Sequence, residues 1–243
     1  MARQQSHRIR SRADRKREAV VTTVYLVRHG EAEGNVLPYF QGTADTDLTD
    51  KGRTQLDYLA ERFRDIPLDA VYYSPWRRAK ATAEAVNRAH HVEMIPEYDL
   101  HELDGGDWEG IPVSELQTRY PAEFRVWTDQ IWKFQAPHGE TMQSVYDRMA
   151  AAVTRIAREN AGKTIAVCSH GCALRNFLCY VEFGDIARLN DTGWADNTAV
   201  SCAEYDPEKG WRLIMKNSIS HLPKELRARP NPAWSADSEE ETA

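Results

Sequence analysis

Residues 20–35 read VVTTVYLVRHGEAEGN. Val20 to Val27 is β-branched and apolar, the pattern of a buried strand. At Arg28 the character changes, and Gly30 and Gly34 mark a loop reaching Asn35. Beyond it, Thr49 caps a helix expected to reach about Asp65, with Leu56, Leu59, Ala60 and Phe63 as its apolar stripe. Ala70 to Tyr73 reads as a second strand. Ser74-Pro75 supplies an N-cap and an N1 proline to a helix ending near His90. Val92 to Ile95 is a third strand. Residues 96–140 are less regular, hold Trp108, Trp127 and Trp132, and read as a cap and acid-loop region. Thr141 to Glu159 is a long amphipathic helix with Met142, Val145, Met149, Val153 and Ile156 on one face. Thr164 to Cys168 is a strand, followed by Ser169-His170-Gly171 and another helix. Thr198 to Tyr205 and Trp211 to Lys216 read as a hairpin. This alternation predicts a three-layer α/β/α sandwich around a mostly parallel sheet.

The 243 residues fit one domain, or one domain with a cap. The composition, 42% hydrophobic and 28% charged, is that of an ordinary globular protein. No run of about 18 apolar residues occurs, which argues against a membrane span. Residues 1–20 lack an apolar segment of the secretory kind. Residues 1–18 carry seven Arg and Lys against Asp14 and Glu18, so the rest of the chain holds 24 basic and 35 acidic residues. That acidic body argues against a general nucleic-acid binder. Residues 1–20 read as a disordered basic leader, 21–223 as the folded domain and 224–243 as a disordered acidic tail. Cys168, Cys172, Cys179 and Cys202 form no CxxC pair and read as reduced thiols of a cytoplasmic protein.

Three segments fall at strand ends: Arg28-His29-Gly30, Ser74 through Arg78, and Ser169-His170-Gly171. In open α/β sheets, ligands bind outside the carboxyl ends of the strands, where helix N-termini favour anions. Two arginines and two histidines would converge there on a phosphate. Arg forks onto phosphate oxygens and stays charged. A nucleophilic His must be neutral, and the nearby Arg28 and Arg78 favour that state. Its second nitrogen must be fixed by a hydrogen bond. A departing alkoxide needs a proton, which Glu102, Asp104, Asp107 or Glu109 could supply if its pKa is raised; spacing does not choose among them.

The ordered motifs resemble the histidine phosphatase superfamily, whose members include phosphoglycerate mutase-like enzymes. The carriers are Leu26 to Asn35, Leu48-Thr49-Asp50-Lys51-Gly52, Ser74 to Ala83, Leu100-His101-Glu102 with Gly106 to Gly110, Gly139-Glu140-Thr141, Ser169-His170-Gly171 and His221-Leu222. The resemblance implies that His29 is the nucleophile and becomes a phosphohistidine. It implies that Arg28, Arg78 and His170 hold the phosphoryl oxygens and that Glu102 gives and takes the proton. Asn35, Gln41, Gly42 and Gly171 are implied as substrate-binding, with no metal and no cofactor. His7, His90, His91, His101, His138 and His221 read as surface or structural.

Asp47, Trp76 and Thr141 depart from the family pattern without removing a catalytic group. The mutase branch carries a long basic insertion after the acid loop. Here only 28 residues separate Gly110 from Gly139, and they are aromatic. The expected function is hydrolysis of a small phosphorylated metabolite. The alternatives are mutase-type transfer and a phospho-ligand-binding pseudoenzyme. Nothing in the sequence gives the oligomeric state.

Overall fold

The computed structural model describes residues 20–37 and 39–227. Most of the basic leader and most of the acidic tail lie outside these residues.

The strands are β1 (Thr22–Arg28), β2 (Ala70–Tyr73), β3 (Glu93–Pro96), β4 (Thr164–Ser169), β5 (Val200–Asp206) and β6 (Gly210–Ser218). They form one sheet in the order β3-β2-β4-β1-β5-β6. The pairs β3–β2, β2–β4 and β4–β1 are parallel, while β5 runs antiparallel to both β1 and β6. The helices are α1 (Glu33–Val36), α2 (Asp50–Phe63), α3 (Arg77–Val86), α4 (Val113–Arg119), α5 (Pro121–Asp129), α6 (Met142–Glu159) and α7 (Gly171–Phe183).

Strand alternation divides the core in two. Val27, Val71, Ala166 and Cys168 face α2 and α3. Val24, Leu26, Tyr72 and Val167 face α6 and α7. The expected three-layer sandwich is therefore present. The expected stripe of α6 is completely covered, with Met142, Val145, Met149, Val153 and Ile156 all at 0% exposure. The aromatic stretch belongs to this second core: Trp108 meets Phe134 at 4.7 Å and Trp127 at 6.1 Å between ring centroids. Lys224–Leu226 form a short 3-10 turn, and Gln55 Nε2 donates to Leu226 O at 2.7 Å. The described fold thus runs past the expected limit at residue 223.

Thr49 caps α2 as expected, its hydroxyl accepting from Gly52 N at 2.9 Å. Two other expected boundaries move, each because a residue serves the site. α3 starts at Arg77, not after Ser74, because the Ser74 hydroxyl is engaged by His170 Nε2 at 2.8 Å. The first turn is instead satisfied from outside, by Asp45 Oδ1 accepting from Arg77 N at 2.7 Å. β5 starts at Val200, not Thr198, because Thr198 has φ of 57°. That left-handed backbone turns its N–H toward His29 O, 3.2 Å away. α3 also ends at Val86, short of His90.

The first turn of α2 lies against the loop after β1. A Cβ on Gly52 would stand 2.0 Å from Glu31 O. Gly52→Ala should cost roughly 1–3 kcal/mol, as overpacking in rigid surroundings does. Urea unfolding checks this, and an unchanged midpoint would refute it.

Candidate active site

The site forms where β1, β2 and β4 end. His29 is 2% exposed and His170 is 0% exposed, with ring centroids 5.2 Å apart. His29 continues the sheet by donating its N–H to Ser169 O at 3.0 Å. Its carbonyl accepts from Thr198 N at 3.2 Å and from Asn197 Nδ2 at 3.1 Å. The next residue is fixed by Gly30 N donating to Thr82 Oγ1 at 3.1 Å.

The His29 ring is held by one contact, Nδ1 to Gly30 O at 2.7 Å. A carbonyl only accepts, so Nδ1 carries the hydrogen and Nε2 keeps a lone pair. Burial pushes the His29 pKa well below its usual 6.5, and the Arg78 and Arg28 charges push it the same way. Burial, rather than the two arginine charges expected from the sequence, is the larger cause. His170 is likewise lowered, by burial first and then by Arg78.

Arg78 is 1% exposed, and burial lowers its pKa to about 10, so it stays charged at neutral pH. Its guanidinium donates to Ala44 O at 2.7 Å and Gly42 O at 3.4 Å. Arg28 donates through Nη1 to Ala195 O. Its guanidinium lies where a side chain on residue 171 would project, 3.2 Å from the Cβ position of Gly171. Glycine at the start of α7 therefore makes room for the arginine.

Glu102 docks on the N-terminus of α7. Its Oε2 accepts from Cys172 N at 3.0 Å, and its Oε1 accepts from Ala173 N at 3.0 Å and Leu103 N at 2.9 Å. Its own backbone is clamped by Arg148. That guanidinium donates to the carbonyls of Asp99 and His101 at 2.9 Å and Glu102 at 3.3 Å, and pairs with Glu140 at 2.8 and 2.9 Å. The Gly139-Glu140-Thr141 motif thus steadies the acid loop.

Of the expected site residues, His29, Arg28, Arg78, Glu102, His170 and Gly171 are brought together. Asn35 sits one step back, its Oδ1 accepting from Asn197 Nδ2 at 3.0 Å and Ala32 N at 3.0 Å. The Gln41 amide turns into its own loop, donating to Thr46 Oγ1 at 2.5 Å and Ala44 O at 3.3 Å. Gly42 contributes its carbonyl to Arg78. The loop 41–46 therefore lies directly on the arginine, tied also by Trp76 Nε1 to Thr43 O and by Thr43 N to Glu109 Oε1 at 2.7 Å. Of the other candidate acids, Glu109 stays near the site, holding this loop within reach of the Arg78 charge, while Asp107 turns to His138 at 3.0 Å and Asp104 to Gly106 N at 2.9 Å.

Sequence reasoning missed Ser74 as the partner of His170, Asn197 and Arg148. Asn197 and Arg148 stand in no recognisable motif. Ser74 did, but its hydroxyl was expected on a helix end. His101, read as surface or structural, packs on Trp76 with centroids 5.6 Å apart. Among the described residues, no group of three or more His, Cys, Asp or Glu is placed to hold a metal ion, and no helix is long and apolar enough to cross a membrane.

The family model of the histidine phosphatase superfamily, branch 1, matches residues 24–218. The chain belongs to that superfamily. It is 32% identical over 198 residues to phosphoserine phosphatase 1 of Hydrogenobacter thermophilus, covering 81% of this chain and 92% of that one. It is 33% identical over 202 residues to the uncharacterized phosphatase PhoE of Bacillus subtilis, covering 83% and 97%. The solved structure of Bacillus stearothermophilus YhfR superposes with a TM-score of 0.79 at 29% identity, covering 83% of this chain and all of that one. This membership places the chain among the phosphoric monoester hydrolases.

Proposed function

We propose that the protein hydrolyses a small phosphomonoester through a phosphohistidine on His29. The observation that carries this reading is the Nδ1 contact of His29 to Gly30 O, which leaves Nε2 as a neutral nucleophile beside two arginines. In the first step Nε2 attacks phosphorus. The N–P bond forms, the P–O ester bond breaks, and Glu102 protonates the departing oxygen. In the second step Glu102 takes a proton from water, whose oxygen attacks phosphorus and releases His29. Arg28, Arg78 and His170 hold the oxygens on which charge develops.

Substrate binding exchanges partners already present. Phosphate oxygens replace the Gly42 and Ala44 carbonyls on Arg78, which requires loop 41–46 to give way. A Glu102 oxygen leaves the Cys172 or Ala173 N–H to reach the ester oxygen. Hydrolysis is favoured over mutase-type transfer because the stretch after the acid loop is aromatic and packs into the core. It presents no basic insertion to hold a second acidic group of a substrate.

The test is phosphate release, with EDTA present, from a panel of small esters and 3-phosphoglycerate. Release supports the reading; isomerisation of 3-phosphoglycerate without release would replace it by the mutase. Glu102→Gln separates the proton donor from the phosphate clamp. Alkyl esters should slow by roughly 10²-fold or more, the usual worth of a general acid. Aryl esters, whose oxides leave unaided, should slow far less. Equal losses on both would remove Glu102 from that role.

A further inference from the structure

A cavity of about 210 Å³ opens at the rim of the site, lined by Asp45, Pro75, Trp76 and Tyr98. It adjoins the chemistry directly, because Trp76 stands edge-on to His170, 5.9 Å between centroids and 88° between planes. Trp76 and Tyr98 lie 5.7 Å apart at 37°. His101 meets them at 5.6 and 5.1 Å, completing a group of three rings. Tyr98 is 67% exposed, a large ring that the core does not need. Trp76 is fixed in place by its Nε1 bond to Thr43 O.

The chemistry of the cavity is narrow. Rings at these separations favour a further flat ring, stacked offset or edge-on. The recess is open to solvent on one side and leaves room for a single flat ring. The one charged lining side chain, Asp45, is already engaged by Arg77, through its backbone N at 2.7 Å and its Nε at 3.4 Å. With Asp45 paired in this way, the described lining residues offer no free cation to a second carboxylate or phosphate on the leaving group.

We propose that Trp76 and Tyr98 select phosphomonoesters whose leaving group carries a flat, uncharged ring, aromatic or heteroaromatic. This specificity rests on the hydrolytic reading above. The ring stacks on Trp76 and Tyr98 while the phosphate reaches His29. Both residues set which ester binds, and neither takes part in bond making.

Benzyl phosphate and cyclohexylmethyl phosphate test this. Both are primary alkyl esters of similar size and draw equally on Glu102, but only one ring is flat. The wild type should show a higher kcat/KM for the benzyl ester, mainly through KM. Tyr98→Ala should cut that preference roughly fivefold, the scale of one lost aromatic contact. Tyr98→Phe should keep it. Equal efficiency on both esters, or a preference unchanged in Tyr98→Ala, would overturn the specificity while leaving a phosphatase. Hydrolysis of neither ester nor any other would overturn the hydrolytic reading and the specificity with it.

Discussion

His29→Ala should lose turnover entirely, on the order of 10⁶-fold as for removal of other covalent nucleophiles. No neighbouring group can stand in. His170 spends Nε2 on Ser74 at 2.8 Å. Arg28 and Arg78 are cations. The fold should survive, because the His29 ring makes one hydrogen bond, to the adjacent Gly30, while its backbone carries the bonds to Ser169, Asn197 and Thr198. Thermal unfolding of the variant should therefore stay cooperative. The phosphate clamp also remains, so the variant should still bind a phosphomonoester that it cannot cleave. Phosphate release and acid-labile labelling of the protein, measured side by side, check both halves. Turnover within tenfold of wild type in a clean preparation would end the assignment of His29.

Acidification should destabilise the protein steeply below pH 6.5, and three histidines, two buried and one half-buried, are the reason. His29, His170 and His221 are all lowered from 6.5, each by burial first, and His221 falls to about 4. Arg62 donates to His221 Nδ1 at 3.1 Å, so Nε2 carries the hydrogen toward Thr198 Oγ1, also at 3.1 Å. That arrangement has no place for a second proton. In the unfolded chain each imidazole takes up a proton near pH 6.5. Below that pH the unfolded state binds more protons than the folded one, so stability rises with pH. The contribution is complete above about 6.5 and is lost as pH falls toward each folded value. Each group adds about 1.4 kcal/mol per pH unit to the slope while its window is open. Urea midpoints between pH 7 and 4.5 should fall accordingly. His221→Gln should be less stable at pH 7 yet show a slope shallower by about one histidine. Parallel curves for the two proteins would refute this account.

Local pattern carried most of the sheet and the chemical groups. β2 was legible to the residue, and Arg28, His29, Arg78 and His170 sit in short ordered motifs that follow strand ends, while Glu102 was singled out among the acids of its loop only by the family resemblance. What escaped was set by distant partners. Ser74 and Pro75 have the residue types of a helix start, yet Ser74 is claimed by His170, 96 positions away. Thr198 has β propensity, yet the bond to His29 O forces its backbone left-handed. Asn197 and Arg148 act through contacts 168 and about 46–49 residues away, which no periodicity reveals. Gln41 and Gly42 were legible as a loop near the substrate. That Gly42 and Ala44 would offer their carbonyls to Arg78 was not, because backbone acceptors leave no mark in side-chain identity.

The backbone of His29 is anchored by Asn197, 168 positions later in the chain. This has a consequence for biosynthesis. At roughly 5–20 residues per second, translation needs about 8–35 s to travel from one to the other. Throughout that interval the signature segment exists without the strand that seats it. Until then α2, α3 and the parallel strands can assemble, but the His29 carbonyl lacks its Thr198 and Asn197 donors. The seating of the signature segment is therefore completed only when β5, almost the last strand to emerge, closes beside β1.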